Sequence, residues 1–139
     1  MKKLLCCTIL LICVCSLSCK KAIENKQREI LIDAITNVQW QVHQYIENTV
    51  DITNQFYGYS FQFEENGAVH ALYIGSVFAD GIWTGDVNNY TITAQFPTAT
   101  DPLKKLNGTW KLTDSYWDYV EAEMNTAGGK NILHLIKKP

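Results

Sequence analysis

The stretch YGYSFQFEENGAVHALYI, residues 57–74, decides the fold class. Aromatic side chains occupy every second position of its first half, at Tyr57, Tyr59, Phe61 and Phe63. A period of two residues is typical of a β-strand with one buried face. Glu64-Glu65-Asn66-Gly67 follows as a turn, because glycine can adopt the positive φ that a tight turn needs. The apolar run 68–74 comes next, so the stretch predicts two short strands and the turn between them.

The same short, strand-like runs recur on both sides of this stretch: 38–46, 82–84 between Gly81 and Gly85, 90–96, 106–113, 119–124 and 130–137. About eight strands joined by short loops, with no helices between them, predict an antiparallel meander. Closing eight strands into a barrel removes the exposed edges on which sheets aggregate. We therefore predict an all-β, lipocalin- or calycin-like barrel, with a two-sheet β-sandwich as the alternative.

A short helix is predicted before the first strand, within residues 20–37. Ile23, Ile30, Leu31 and Ala34 recur there at helical spacing, which is the pattern of an amphipathic helix. Glu24 and Arg28 are four residues apart and can support it weakly. This helix either packs on the β domain or spaces that domain from a membrane.

The first 19 residues hold all five cysteines of the chain: Cys6, Cys7, Cys13, Cys15 and Cys19. Lys2 and Lys3 precede an apolar run over residues 4–17, which is the layout of a secretory signal peptide. The run is shorter than the ~20 residues that a membrane-spanning helix needs. Ser18-Cys19 resembles the lipobox of bacterial lipoproteins, which implies cleavage before Cys19 and acylation of that residue.

Three segments are therefore predicted: a signal peptide over 1–18, a lipidated Cys19 with tether and helix over 19–37, and a β domain over 38–139. Beyond Cys19 the chain has no further cysteine, so the mature protein can form no internal disulfide. The formal net charge of −2 argues against a nucleic-acid partner, because nucleic-acid binding needs a basic face.

Several short motifs occur in a familiar order: VQWQV (38–42), DIT (51–53), FYGY (56–59), FQF (61–63), NGAV (66–69), GIW (81–83) and LNGTWKL (106–112). Together they resemble the small lipocalin-like lipoproteins of Bacteroidota, over nearly the whole chain. The resemblance implies a barrel held on the cell envelope, at the outer membrane, through the lipid on Cys19. It supplies no catalytic residues.

Residues with catalytic or metal-binding chemistry are scattered. His43, His70 and His134 fall on separate predicted strands and would have to converge to bind a metal. Asp114 and Asp118 lack the ligand spacing of a calcium loop and are better explained as part of a solvated face, together with the neighbouring Glu121 and Glu123. We therefore expect no enzymatic activity, no metal and no cofactor.

The aromatic residues are the remaining candidates for a binding site. Seven are predicted to point into the barrel, either as core or as the lining of a small apolar site: Trp40, Tyr57, Tyr59, Phe61, Trp83, Tyr90 and Trp110. An eight-stranded barrel is just wide enough to be filled by side chains or to hold one small ligand. Tyr116 and Trp117 fall in a loop and are candidates for contact with a partner. The predicted function is a non-enzymatic envelope lipoprotein that binds a small apolar ligand. The alternative is a protein-interaction or inhibitor module that uses exposed loops.

Overall fold

The computed structural model describes residues 20–139, so the predicted signal peptide and Cys19 lie outside the described residues. Residues 20–35 form a helix, α1. Nine strands follow: β1 (Gln39–Glu47), β2 (Val50–Asp51), β3 (Tyr59–Phe63), β4 (Ala68–Tyr73), β5 (Ser76–Asp86), β6 (Thr91–Gln95), β7 (Gly108–Ser115), β8 (Tyr119–Thr126) and β9 (Gly129–Lys137). Two 3₁₀-helices, Thr53–Phe56 and Leu103–Leu106, interrupt the longer connections. Among the described residues, no helix combines the length and the apolar character that crossing a membrane requires.

Eight of the strands close into a ring. From β3 onward each strand pairs with the next one, all antiparallel, and β1 pairs with both β3 and β9. The closing ladder runs from Trp40 opposite Lys137 to Glu47 opposite Asn131. Strand β2 pairs only with the end of β1 and lies outside the ring. The predicted eight-stranded antiparallel barrel with a preceding helix is confirmed, and the sandwich alternative is wrong.

Strand β5 differs from its prediction. The sequence predicts a strand of residues 82–84 between two glycines, whereas β5 spans Ser76–Asp86 with both glycines inside it. At Gly81 a Cβ would collide with the carbonyl oxygen of Gln95 and with the ring of Phe96. Glycine here permits a close approach between neighbouring segments and does not end the strand.

Helix α1 packs on the barrel. A Cβ at Gly85 would lie 2.9 Å from the Leu31 side chain, so this glycine makes room for the helix. Ile35 and Thr36 are buried where the helix ends. The Trp40 indole Nε1 donates a hydrogen bond to the Ile35 carbonyl oxygen at 3.0 Å. Of the two predicted roles for this helix, packing on the β domain is the one observed for its C-terminal half.

The meander gives the barrel two distinct ends, because consecutive antiparallel strands place their turns alternately at opposite rims. The helix end carries α1 and the turns 64–67, 87–90 and 116–118. The hairpin end carries the β4–β5 turn at 74–75, both 3₁₀-helices and the turn 127–128. These two ends differ in what they expose.

Candidate functional site

The interior of the barrel is filled largely by aromatic and aliphatic side chains. The fully buried members of largest volume are Tyr45, Phe96 and Leu103. The Tyr45 ring stacks on Phe56 with centroids 5.0 Å apart and meets Trp110 edge-on at 5.9 Å. Phe56 and Leu103 come from the two 3₁₀-helices. These short helices therefore contribute buried side chains to the core at the hairpin end.

The Tyr45 hydroxyl is a buried polar group with two partners. It donates a hydrogen bond to the Lys105 carbonyl oxygen at 2.8 Å and accepts one from Asn131 Nδ2 at 3.2 Å. Burial raises the pKa of Tyr45 to about 12, because a phenolate would have to be held away from water. Tyr45 is thus neutral at physiological pH and ties β1 to β9 and to the 3₁₀-helix Leu103–Leu106.

One apolar cavity of about 60 Å³ remains inside the barrel. Its walls are all apolar and come from β3, β4, β6, β7, β8 and β9 and from the connection between β6 and β7: Phe61, Phe63, Val69, Ile92, Ala94, Phe96, Leu106, Trp110, Leu112, Val120, Ala122, Leu133 and Leu135. An apolar cavity of roughly 150 Å³ is known to hold benzene. The space in this barrel is well below that size, so a fatty acyl chain could enter only if core side chains moved.

The seven aromatic candidates predicted for the interior occupy different places. Phe61 and Trp110 line the cavity. Trp40 and Trp83 are buried but are not part of its lining, and Tyr59 is half-buried.

Two of those candidates point outward, which corrects their predicted orientation. Tyr57 is 88% exposed and Tyr90 is 66% exposed. Tyr57 follows a 3₁₀-helix and precedes β3, so the alternation of that strand does not determine its direction. Tyr90 lies in a turn with φ 53°, outside the extended backbone that would have turned it inward.

A cluster of large apolar side chains is exposed at the hairpin end. We call it the hairpin surface and define it by five residues: Tyr57, Tyr73, Ile74, Val77 and Phe78, exposed by 42% to 88%. The Tyr73 and Phe78 rings lie 6.2 Å apart, and half-buried Tyr59 contacts both of them, at 5.0 Å and 5.7 Å. Large contiguous apolar patches exposed on a monomeric protein mark interaction sites.

The turn that carries the hairpin surface has unusual backbone geometry. Ile74 has φ 49° and Gly75 has φ 83°, as in a type I′ hairpin turn, whose first central residue is ordinarily Asn, Asp or Gly. A β-branched residue in the left-handed region is a genuine outlier. Ile74 is 76% exposed, so packing of its side chain against the barrel does little to compensate for the strained backbone.

Sequence reasoning missed most of this surface. The sequence predicts that Tyr57 points inward, and the predicted strand 82–84 does not include Val77 or Phe78. The available signal was the apolar pair Val77-Phe78 directly after Gly75-Ser76, which extends the strand back to the turn. A register shift in the β4–β5 ladder near Leu72 disturbs the alternation there and hides that signal.

A second apolar group is exposed at the helix end. Tyr116 is 69% exposed and Trp117 is 72% exposed; these are the two residues that the sequence indicates as candidates for contact with a partner. The Tyr119 hydroxyl donates a 2.6 Å hydrogen bond to Asp114 Oδ2, and that bond raises the pKa of Tyr119 to about 12. Tyr116 stacks on Tyr119 with centroids 6.3 Å apart, so side-chain contacts join the two ends of this loop.

The histidines do not converge. His70 Nδ1 lies 2.6 Å from Asp80, His134 Nε2 lies 3.7 Å from Glu121, and His43 is exposed. Within residues 20–139, no group of three or more histidine, cysteine or acidic side chains is placed to hold a metal ion. Asp114 accepts hydrogen bonds from Tyr119 and from the Ser115 amide, which gives it a structural role in the loop.

Comparison with known proteins shows a similarity in fold. A crystal structure of a DUF4847 family protein from Bacteroides vulgatus ATCC 8482, at 1.00 Å resolution, is similar, with a TM-score of 0.54 and 12% sequence identity. The match covers 76% of this chain and 96% of that chain. No protein-family model and no curated protein sequence matches the chain. At 12% identity the likeness extends to the fold alone.

Proposed function

We propose that this chain is a lipid-anchored, non-enzymatic protein of the cell envelope whose barrel presents the hairpin surface to an apolar patch on a protein partner. This is the protein-interaction alternative that the sequence leaves open. The contact surface proposed here is the β4–β5 hairpin, whereas the sequence predicts that exposed loops make the contact. The observation that carries it is the cluster of five exposed apolar side chains around the β4–β5 turn. The small cavity of the barrel favours the same choice, because the interior has little space for a ligand.

The chemistry of the hairpin surface suits a protein partner. Tyrosine and phenylalanine are enriched where proteins bind one another, and clustered aromatic anchors carry much of the binding energy. Strain at Ile74 supports the proposal, since outliers of this kind persist where function requires them. Asparagine at position 74 would remove the backbone strain, whereas isoleucine places an apolar side chain at the tip of the turn.

A photo-cross-linking experiment tests the hairpin surface. A cross-linking amino acid replaces Phe78 in one variant and Ile82 in a control variant. Ile82 is 62% exposed on the same strand, outside the hairpin surface. We expect a discrete cross-linked band in the native host from position 78 and none from position 82. The same bands from both positions would contradict the proposal.

A second substitution separates binding from folding. Ile74→Asn in the position-78 variant should abolish the cross-link, because it removes the apolar tip. It should leave the barrel folded, because asparagine tolerates the left-handed region. Circular dichroism checks the fold. A persistent cross-link in a folded Ile74→Asn protein would contradict the assigned role of the turn.

The anchor belongs to the same proposal and rests on Ser18-Cys19 after a short apolar run. Several acyl chains would hold the protein firmly, since each buried methylene contributes ~0.8 kcal/mol. Metabolic labelling with a fatty acid should mark the wild type and not Cys19→Ser. A wild-type protein that takes up no label and stays soluble would refute the anchor and the envelope location that follows from it.

Binding of a small apolar ligand is the second candidate function, and the cavity lined by Phe61 and Trp110 is the observation that favours it. A ligand would have to be small or would have to displace core side chains. Mass spectrometry of protein purified under native conditions tests it, since a retained stoichiometric small molecule would support an interior site.

A further inference from the structure

The helix end carries an exposed apolar row that the proposed function does not use. Its members come from α1 and from two turns at the same rim: Ile23, Ile30, Tyr90, Tyr116 and Trp117, each exposed by more than half. Ile23 and Ile30 are seven residues apart and lie on one side of the helix. Ile30 shares a groove with Tyr90 and with Ser115, which directly precedes Tyr116. The row therefore extends from α1 to the two neighbouring turns at the same rim.

We propose that this helix-end row lies against the surface of the bilayer in which the protein is anchored, with Trp117 in the headgroup region. The inference rests on the proposed lipid anchor and adds an orientation to it. The hairpin surface, at the opposite end of the barrel, then points away from that bilayer.

The length of the connection to the anchor supports a membrane occupant. The described chain begins at Lys20, next to Cys19, and is helical without a break to Ile35. Gln27 already lines the groove with Tyr90 and Ser115. Seven residues of helix span only about 10 Å at 1.5 Å per residue, so a lipid on Cys19 would hold this end of the barrel close to the bilayer.

The residue types fit the same location. Tryptophan and tyrosine are enriched where a bilayer meets water, because their rings have an apolar body and a polar tip. Lys20 and Lys21 stand at the start of the described helix, and basic side chains near an anionic leaflet add attraction. Trp117, Tyr116 and Tyr90 thus form an interfacial group beside the predicted attachment point.

Trp117 is also a natural reporter. It is 72% exposed, whereas Trp40, Trp83 and Trp110 are 2%, 5% and 4% exposed. The full-length lipoprotein, purified from its host membranes, is reconstituted into vesicles of phosphatidylethanolamine and phosphatidylglycerol doped with brominated phosphatidylcholine. Bromine quenches tryptophan only at short range. We expect lipid-dependent quenching in the wild type and loss of most of it in Trp117→Phe.

A control places a tryptophan at the other end of the barrel. The double variant Trp117→Phe, Phe78→Trp should float with the vesicles and show no more quenching than Trp117→Phe. Equal quenching at positions 78 and 117, or flotation without quenching of Trp117, would overturn the orientation and leave the anchor intact. Wild-type protein that takes up no fatty acid and does not float would overturn the anchor and the orientation together.

Discussion

At the scale of single residues, Tyr45 shows how one buried hydroxyl joins distant segments. Its partners, Lys105 and Asn131, are separated from it by 60 and 86 positions. The Asn131 Oδ1 atom is buried without a hydrogen-bond partner in the described part of the chain. This network therefore already leaves one acceptor unsatisfied, and loss of a further bond should be costly.

Replacing Tyr45 by phenylalanine should destabilise the barrel by ~1–3 kcal/mol at neutral pH, because the Lys105 carbonyl and the Asn131 amide lose a buried partner. Urea denaturation measures the change in the free energy of unfolding. Tyr57→Phe is the matched control, since that ring is 88% exposed, and it should change stability by less than ~0.5 kcal/mol. Equal losses in both variants would contradict the role assigned to the Tyr45 hydroxyl.

The same residue predicts a pH dependence. Burial raises the pKa of Tyr45 from its ordinary value of 10.0 to about 12, so folding favours the protonated form. The stabilisation is fully present below pH 10 and is lost as the pH rises through about 12. The free energy of unfolding should fall by the same amount in the wild type and in Tyr57→Phe as the pH rises from 10 to about 12. In Tyr45→Phe it should fall by less.

At the scale of elements, two glycines in β5 have different neighbours. A Cβ on Gly81 would meet the backbone oxygen of Gln95, which cannot move without disturbing the β5–β6 ladder. A Cβ on Gly85 would meet the end of the Leu31 side chain at 2.9 Å. A leucine tip can rotate or shift slightly, so the second contact is easier to relieve.

These neighbours give matched substitutions within one strand. Gly81→Ala should cost ~2–3 kcal/mol and Gly85→Ala less than ~1 kcal/mol, because forced overpacking is expensive only where the surroundings are rigid. Chemical denaturation of the two variants compares them directly. A larger loss of stability in Gly85→Ala than in Gly81→Ala would mean that the contact between α1 and the barrel is more rigid than the β5–β6 ladder.

At the scale of the whole molecule, the interior behaves as a core with one small space left in it. Ala122 lines the cavity of about 60 Å³ and is 4% exposed. Ala71 is fully buried and does not line the cavity. Valine, which adds two methyl groups to alanine, should therefore be tolerated at position 122 and not at position 71.

Ala122→Val should stabilise the barrel by ~1 kcal/mol by filling empty space, whereas Ala71→Val should destabilise it by ~1–3 kcal/mol. Equilibrium unfolding in urea provides both values. If the wild type retains a small molecule and Ala122→Val does not, the cavity is a binding site and the ligand candidate gains support. Destabilisation by Ala122→Val would indicate that this space is not available to a side chain.

Much of the fold could be predicted from residues 57–74 and from the runs that resemble them. The alternation of Tyr59, Phe61 and Phe63 is a local property of an extended backbone, because successive side chains point to opposite faces of a strand. The number of strands, the antiparallel order and the preceding helix follow from such local patterns. The burial of Trp40, Trp83 and Trp110 follows from them as well.

Only the tertiary structure decided which aromatic residues form surfaces. Tyr57, Ile74 and Tyr90 lie outside regular strand backbone, where no period determines the direction of a side chain. Their orientation depends on ring closure and on long-range packing against the 3₁₀-helices and α1. The sequence by itself therefore determined an eight-stranded barrel with an aromatic core. The tertiary structure decided that its interior is nearly full and that the hairpin surface and the helix-end row lie at two opposite ends, since both depend on contacts between segments far apart in the chain.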